Sequence, residues 1–235
     1  MVTRLEIRAP EELDMELVAA TLNAFVQVRE LHGCDGRLLR SRDGALIVVD
    51  PKAYASKRWR FTVAHEIGHL LLHKDASVVT TCTAQDLAAY RTSGYEPEAN
   101  EFAAELLMPK PLFAPLCEGK APSVAQVREL ASRFATSWTA TAIRFVECST
   151  EPCAVVYAEG KRVKWWMRND RFALPLDRDP ELARDSSPET GVRLTHGAAW
   201  SDAPNANAVE LHEHAIPLRA HDAVLTLLWH RARAN

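Results

Sequence analysis

One run, SKRWRFTVAHEIGHLLLHKD at residues 56–75, limits the fold more than any other part of this chain. Wound as a helix, it carries apolar residues around most of its circumference, so it has to be buried on several sides. The same run holds His65, Glu66, His69 and His73. Polar groups inside a packed shell cost free energy unless they are hydrogen-bonded or metal-bound. The fold must therefore supply both a shell and partners for several imidazoles. At 235 residues, 47 % of them apolar and 25 % charged, the chain can build such a shell, and disordered, collagen-like and coiled-coil classes drop out.

The motif His65-Glu66-Ile67-Gly68-His69 names the partner. At about 100° per residue, positions i and i+4 lie about 40° apart, so the two imidazoles can reach one zinc ion at about 2.0–2.1 Å. Glu66 sits next to that face, placed to hold a water rather than the metal. Gly68 is a poor helix former, which implies that another element packs closely there. His73 has drifted about 80° from His65 around the helix, so it reads as a wall residue or a buried helix-end histidine rather than a fourth ligand.

A catalytic zinc needs a third protein ligand and an open position. The helix expected from Glu96 to Leu107 offers Glu96, Glu98, Glu101 and Glu105. On its wheel Glu96 shares a face with Ala99, Asn100, Ala103, Leu106 and Leu107, while the other three glutamates fall on the opposite side. Glu96 can then be a metal ligand or, being close to the helix start, a cap. Asn100 on the same face is placed to hold an imidazole N–H and set its tautomer.

The rest of the chain reads in outline. Helical spacing of Leu13, Leu17, Ala20, Phe25 and Val28 predicts one helix over Pro10 to Leu31. Residues 36–51, with Asp43-Gly44 between apolar runs, predict a hairpin whose second strand is Ala45–Val49. A loop with a short helix at Ala84 to Arg91 follows, then helical signals over Ser123 to Phe145. That last segment reads either as a helix-turn-helix or, since its charges are only mildly basic, as packing that completes the first domain. Beyond Cys148 alternation predicts a hairpin turning at Glu159-Gly160, with Trp165 and Trp166 either in the core or on a docking surface. His212-Glu213-His214 reads as an exposed loop or strand. The texture change sets a domain boundary there, with residues 1–148 before it and 149–235 after it.

Composition excludes more than it assigns. The net charge of −3 argues against direct nucleic-acid binding, which relies on phosphate neutralisation. Five cysteines without C-x-x-C spacing suit reduced thiols in the cytoplasm. Acidic residues interrupt the apolar runs of the N-terminus, and no stretch of about 18 apolar residues occurs, so neither a leader nor a membrane span is expected.

AHEIGHLLLH, followed by EPEANEFAAELLMP, resembles the ImmA/IrrE family of metallopeptidases, whose pattern pairs an H-E-x-x-H helix with E-x-x-A-N-x-F-A-x-x-L-L-M-P. The likeness extends upstream to Ala45–Val49 and Arg60-Phe61-Thr62 and covers about Leu38 to Phe145. It implies His65, His69 and Glu96 as ligands of one zinc per chain, and Glu66 as general base. It also implies an α+β, zincin-like peptidase domain, a small sheet with Ala45–Val49 as its edge strand plus the two motif helices, followed by a smaller β-rich C-terminal region. Many members carry a separate N-terminal DNA-binding domain, for which the 35 residues before the hairpin leave no room.

The expected function is zinc-dependent endopeptidase action on a protein partner, a DNA-binding regulator such as a transcriptional repressor, with an extended substrate pairing along an edge strand. Tyr90, Tyr95, His196, His212, His214 and His221 are candidates for stabilising the oxyanion. The alternative is a non-proteolytic, metal-containing interaction module acting through residues 149–235. An intact Glu66 favours the enzyme, because a structural zinc needs no base and closes its fourth position with protein.

Overall fold

A computed structural model of the protein describes residues 9–56, 58–73, 81–82, 94–160, 162–176, 191–218 and 222–230. The expected helix at Ala84 to Arg91, Tyr90 and His221 lie outside them.

The first helix, α1 (Met15–Thr21), opens where the Asp14 carboxylate accepts from the backbone N–H groups of Glu16 and Leu17, which satisfies donors that a helix start leaves orphaned. It stops at Thr21 instead of continuing to Leu31. Asn23 takes a left-handed φ of 55°, and Ala24–Val28 becomes strand β1. The helical spacing misled because Leu17, Phe25 and Val28 are exposed rather than on one buried face. The FVQV run suits a strand, and its backbone groups are satisfied by pairing in parallel with Ala45–Val49.

Strands β2 (Gly36–Arg40) and β3 (Ala45–Val49) form the hairpin expected around Asp43-Gly44. The edge position expected for Ala45–Val49 is corrected: β3 has β1 on one side and β2 on the other. Ile47 and Val49 are fully buried and Val48 nearly so, which is the demand of an ALIVV strand that is apolar on both faces. The helices α2 (Pro51–Tyr54) and α3 (Trp59–Leu72) follow. The two-residue strand β4 (Thr81–Cys82) then pairs with β2 and completes the sheet order β1-β3-β2-β4.

The second motif helix is α4 (Tyr95–Leu107), followed by α5 (Lys110–Cys117), α6 (Val124–Arg133) and α7 (Trp138–Cys148). Ser123 to Phe145 thus contains two helices, separated near Ala135, whose φ is 50°. Strands β5 (Cys153–Glu159), β6 (Arg162–Arg168), β7 (Arg193–His196), β8 (Glu210–Leu218) and β9 (Ala223–Trp229) form an antiparallel sheet in the order β6-β5-β9-β8-β7. Val124, Val127, Ala142, Ile143 and Val146 share a core with Val155, Leu225 and Leu227 of that sheet. The packing role expected of Ser123 to Phe145 is therefore played against the C-terminal sheet. The chain divides into two compact units, Met1–Leu112 with Ser132–Ser137, and Phe113–Ala131 with Trp138–Asn235.

Within the second unit the hairpin tryptophans are packed. Trp165 stacks on Tyr157 at 5.2 Å with the rings 3° from parallel, while Trp166 packs in a second cluster with Phe172 and Leu174. Successive strand residues point to opposite faces, so each tryptophan serves a different core. Glu213 is not exposed as expected: it is 3 % accessible and accepts from Arg193 Nη2 at 2.7 Å and Trp200 Nε1 at 3.2 Å. Burial pushes the thiols of Cys117 and Cys153 up to about 12, so both stay protonated and unreactive at neutral pH. Among the described residues no helix is long and apolar enough to cross a membrane.

Candidate metal centre

Every residue of α3 from Thr62 to His69 is buried, as the apolar circumference of the run requires. Two arginines hold the helix at its ends. Arg60 donates from Nη1 to the Phe134 carbonyl and from Nη2 to the Leu13 carbonyl, both at 2.9 Å. Arg40, on β2, donates to the carbonyls of His69, Leu70 and His73. They lie at the helix C-terminus, where carbonyls run out of intrahelical partners, although that of His69 also accepts from the His73 N–H, and a cation there suits the helix dipole. Replacing Arg40 with Met, which keeps the stem and removes the donors, should lower stability by about 1–3 kcal/mol in urea unfolding.

Two glycines allow the elements to close on one another. A methyl group at Gly68 would lie 3.1 Å from Ala99 Cα and 3.2 Å from its carbonyl oxygen, so α3 and α4 meet backbone to backbone, the close packing expected at that residue. A methyl group at Gly36 would lie 2.4 Å from Thr62 Cγ2 and 3.1 Å from Glu66 Oε1. Strand β2 therefore passes directly over the Glu66 carboxylate, which is itself fully buried. Gly36→Ala should cost about 1–3 kcal/mol through overpacking, since the displaced atoms belong to buried Thr62 and Glu66. Thermal melts of the variant beside the wild type would show it.

The close helix contact brings three of the sequence candidates together. His65 Nε2 lies 2.9 Å from His69 Nε2. Glu96 completes the group, with Oε2 3.1 Å from His65 Nε2 and Oε1 3.2 Å from His69 Nε2. Among the described residues this is the group of His, Cys, Asp and Glu side chains close enough to hold a metal ion. Tetrahedral donors at about 2.05 Å from zinc stand about 3.3 Å apart, so the triangle is close to the size such an ion requires.

Hydrogen bonding settles which nitrogen faces that centre. His65 Nδ1 is 2.9 Å from Asn100 Oδ1; an amide oxygen only accepts, so Nδ1 carries a hydrogen and Nε2 is the atom left to face the centre. This is the role expected of Asn100. Of the two readings of Glu96, its oxygens lie on the imidazoles, and Gly94 holds the N-cap position. Burial raises the Glu96 carboxyl, but hydrogen bonds to and charge on His65 and His69 outweigh it and hold the group well below the usual carboxylate range. Two imidazole nitrogens and a carboxylate converging in this way are a donor set for a divalent cation, which would take the place of the hydrogens that the imidazoles share with Glu96.

Glu98 was missed. The wheel places it away from the apolar face, and its side chain is indeed 60 % exposed, yet Oε2 reaches His73 Nε2 at 3.0 Å. A wheel records where a Cβ points and ignores the reach of a long side chain towards the end of a neighbouring helix. His73 is the buried helix-end histidine expected, 5 % accessible. Of the oxyanion candidates, Tyr95 lies against His73 with ring centroids 4.4 Å apart. His196, His212 and His214 belong to the second unit. There His212 stacks on Trp229, and His214 Nδ1 accepts from the backbone N–H of Val124.

Residues 19–146 match the family described as the IrrE N-terminal-like domain, Peptidase_M78. The chain is 30 % identical over 211 residues to the radiation response metalloprotease IrrE of Deinococcus radiodurans, covering 83 % of this chain and 64 % of that protein. It is 30 % identical over 158 residues to the protein of the same name from Deinococcus deserti, covering 61 % of this chain and 56 % of the other. This chain thus spans less than two thirds of the length of either relative. A solved structure titled Mycobacterium tuberculosis transcriptional regulator shares the fold, with a TM-score of 0.59 at 13 % identity, over 97 % of this chain and 72 % of that one.

Proposed function

The chain belongs to the family of the IrrE N-terminal-like domain, and on that premise we propose that it is a zinc-dependent endopeptidase cutting a DNA-binding regulatory protein. The observation that carries the reading is the convergence of His65 Nε2, His69 Nε2 and both oxygens of Glu96 on one point. In this reading the three side chains hold one zinc per chain and Glu66 is the general base. Zinc bound there would lower the pKa of water towards about 7 and polarise the scissile carbonyl.

The chain's own residues do the rest. Glu66 takes the proton of the attacking water and returns it to the leaving amine, which needs a carboxylate that is ionised, buried and held in place. The close approach of β2 at Gly36 holds it. With β3 interior, the outer edge beside β2 among the described residues is that of β4, whose Cys82 pairs with Gly36. An extended peptide laid along that edge would be held by main-chain hydrogen bonds regardless of its sequence.

Two observations support a regulatory protein as substrate: the relatives are named radiation response metalloproteases, and a net charge of −3 makes direct contact with nucleic acid a poor route to the same end. Cys34, Cys117, Cys148 and Cys153 are thiols rather than disulfides, which supports a reducing, cytoplasmic setting. The test compares new protein N-termini in host lysate treated with the wild-type chain or with Glu66→Gln. A cut inside a DNA-binding protein, made by the wild type alone, is expected; no cut that depends on Glu66 would sink the proposal.

A further inference from the structure

We infer that His73 and Glu98 are a positioning pair that sets the tautomer of His69 for metal binding. The inference rests on the metal reading above and extends it to two residues outside the donor set. His73 Nδ1 lies 2.9 Å from His69 Nδ1, and His73 Nε2 lies 3.0 Å from Glu98 Oε2. Between two ring nitrogens in a hydrogen bond, one must donate and the other accept. A carboxylate only accepts, so the hydrogen of His73 is drawn to Nε2. The neutral ring is then left with a bare Nδ1, which accepts from His69 Nδ1–H. The remaining nitrogen of His69, Nε2, lies 2.9 Å from His65 Nε2 and 3.2 Å from Glu96 Oε1, and it is then the atom whose lone pair would go to a metal ion held between these three side chains.

The opposite polarity defeats the site. With its hydrogen on Nδ1, His73 would donate to His69 Nδ1, and the hydrogen of His69 would move to Nε2, where it would occupy the position of the metal. Glu98 thus acts on the centre through two hydrogen bonds, without touching it. His73 is 5 % accessible and its ring packs beside Tyr95, so water competes little for the bond between the two imidazoles, while the Glu98 carboxylate reaches it from the solvent side, 60 % exposed. Both members come from the elements that carry the ligands: His73 lies one helical turn after His69, and Glu98 lies two residues after Glu96.

The experiment measures zinc affinity of the metal-stripped full chain against a chromogenic chelator. Glu98→Ala and His73→Phe should each weaken binding by about 10–100-fold, the usual cost of losing a partner of a metal-ligating histidine. Glu98→Gln, whose amide oxygen still accepts, should keep most of the affinity. The double variant His73→Phe with Glu98→Ala should bind no more weakly than His73→Phe alone. A mere charge effect of Glu98 predicts the reverse on both counts, with Gln as damaging as Ala and the full Glu98→Ala loss added again in the double variant; either result overturns the pair. Should His73→Phe fail to fold, the two Glu98 variants decide by themselves: a loss in Glu98→Ala that Glu98→Gln largely restores supports the pair, and equal losses in both overturn it. Unchanged affinity in Glu98→Ala overturns the pair alone, whereas a wild type that binds no zinc overturns the metal reading and the pair with it.

Discussion

Glu66→Gln should lower kcat/KM for peptide hydrolysis by about 10²–10⁴-fold, the range that a positioned base contributes. The same protein should keep its fold and about one zinc per chain, because His65, His69 and Glu96 are untouched. The amide is the same size as the carboxylate, and at a fully buried position a neutral group costs less to desolvate than an ion. The melting temperature should therefore hold or rise while turnover collapses. Elemental analysis, thermal melts and a cleavage assay on one preparation check all three, and a variant that cleaves at the wild-type rate would remove Glu66 from the chemistry.

Glu96→Ala should abolish both metal retention and turnover. It removes both oxygens from the triangle and leaves two imidazoles facing each other at 2.9 Å without the anion that balances a divalent ion. Linkage supplies a readout independent of activity. A ligand that binds only the folded state, at 100 times its Kd, stabilises it by about 2.7 kcal/mol. Zinc should raise the wild-type unfolding midpoint accordingly and leave that of Glu96→Ala unmoved. An equal rise in both would show that zinc binds elsewhere. His65→Ala should behave as Glu96→Ala does, whereas Glu66→Gln should retain the full zinc-dependent rise.

The centre was largely legible in the sequence because its geometry is local. His65 and His69 are one helical turn apart on one helix, and Glu96 and Asn100 are one turn apart on another, so periodicity alone puts each pair on one face. Gly68 added the hint that something approaches closely, and Ala99 is what does. Fold legibility was uneven for the same reason. The hairpins at Asp43-Gly44 and Glu159-Gly160 follow from turn chemistry. The end of α1 and the strand after it do not, because Ala24–Val28 is extended only through its pairing with a strand some 20 residues later. The place of Ala45–Val49 inside the sheet likewise depends on which strands arrive on either side.

By itself the sequence determined a buried helix with two imidazoles on one face, a carboxylate beside them, and a second helix offering one inward glutamate. Tertiary structure alone decided the rest. It carried Arg40 from β2 to the carbonyls that end α3, laid Gly36 over Glu66, and brought exposed Glu98 to buried His73. These are contacts between residues 25 to 33 positions apart, made by side-chain reach and by the space a missing Cβ leaves. Neither appears in a periodicity, which records the face a residue occupies on its own element and nothing of what the neighbouring element places opposite.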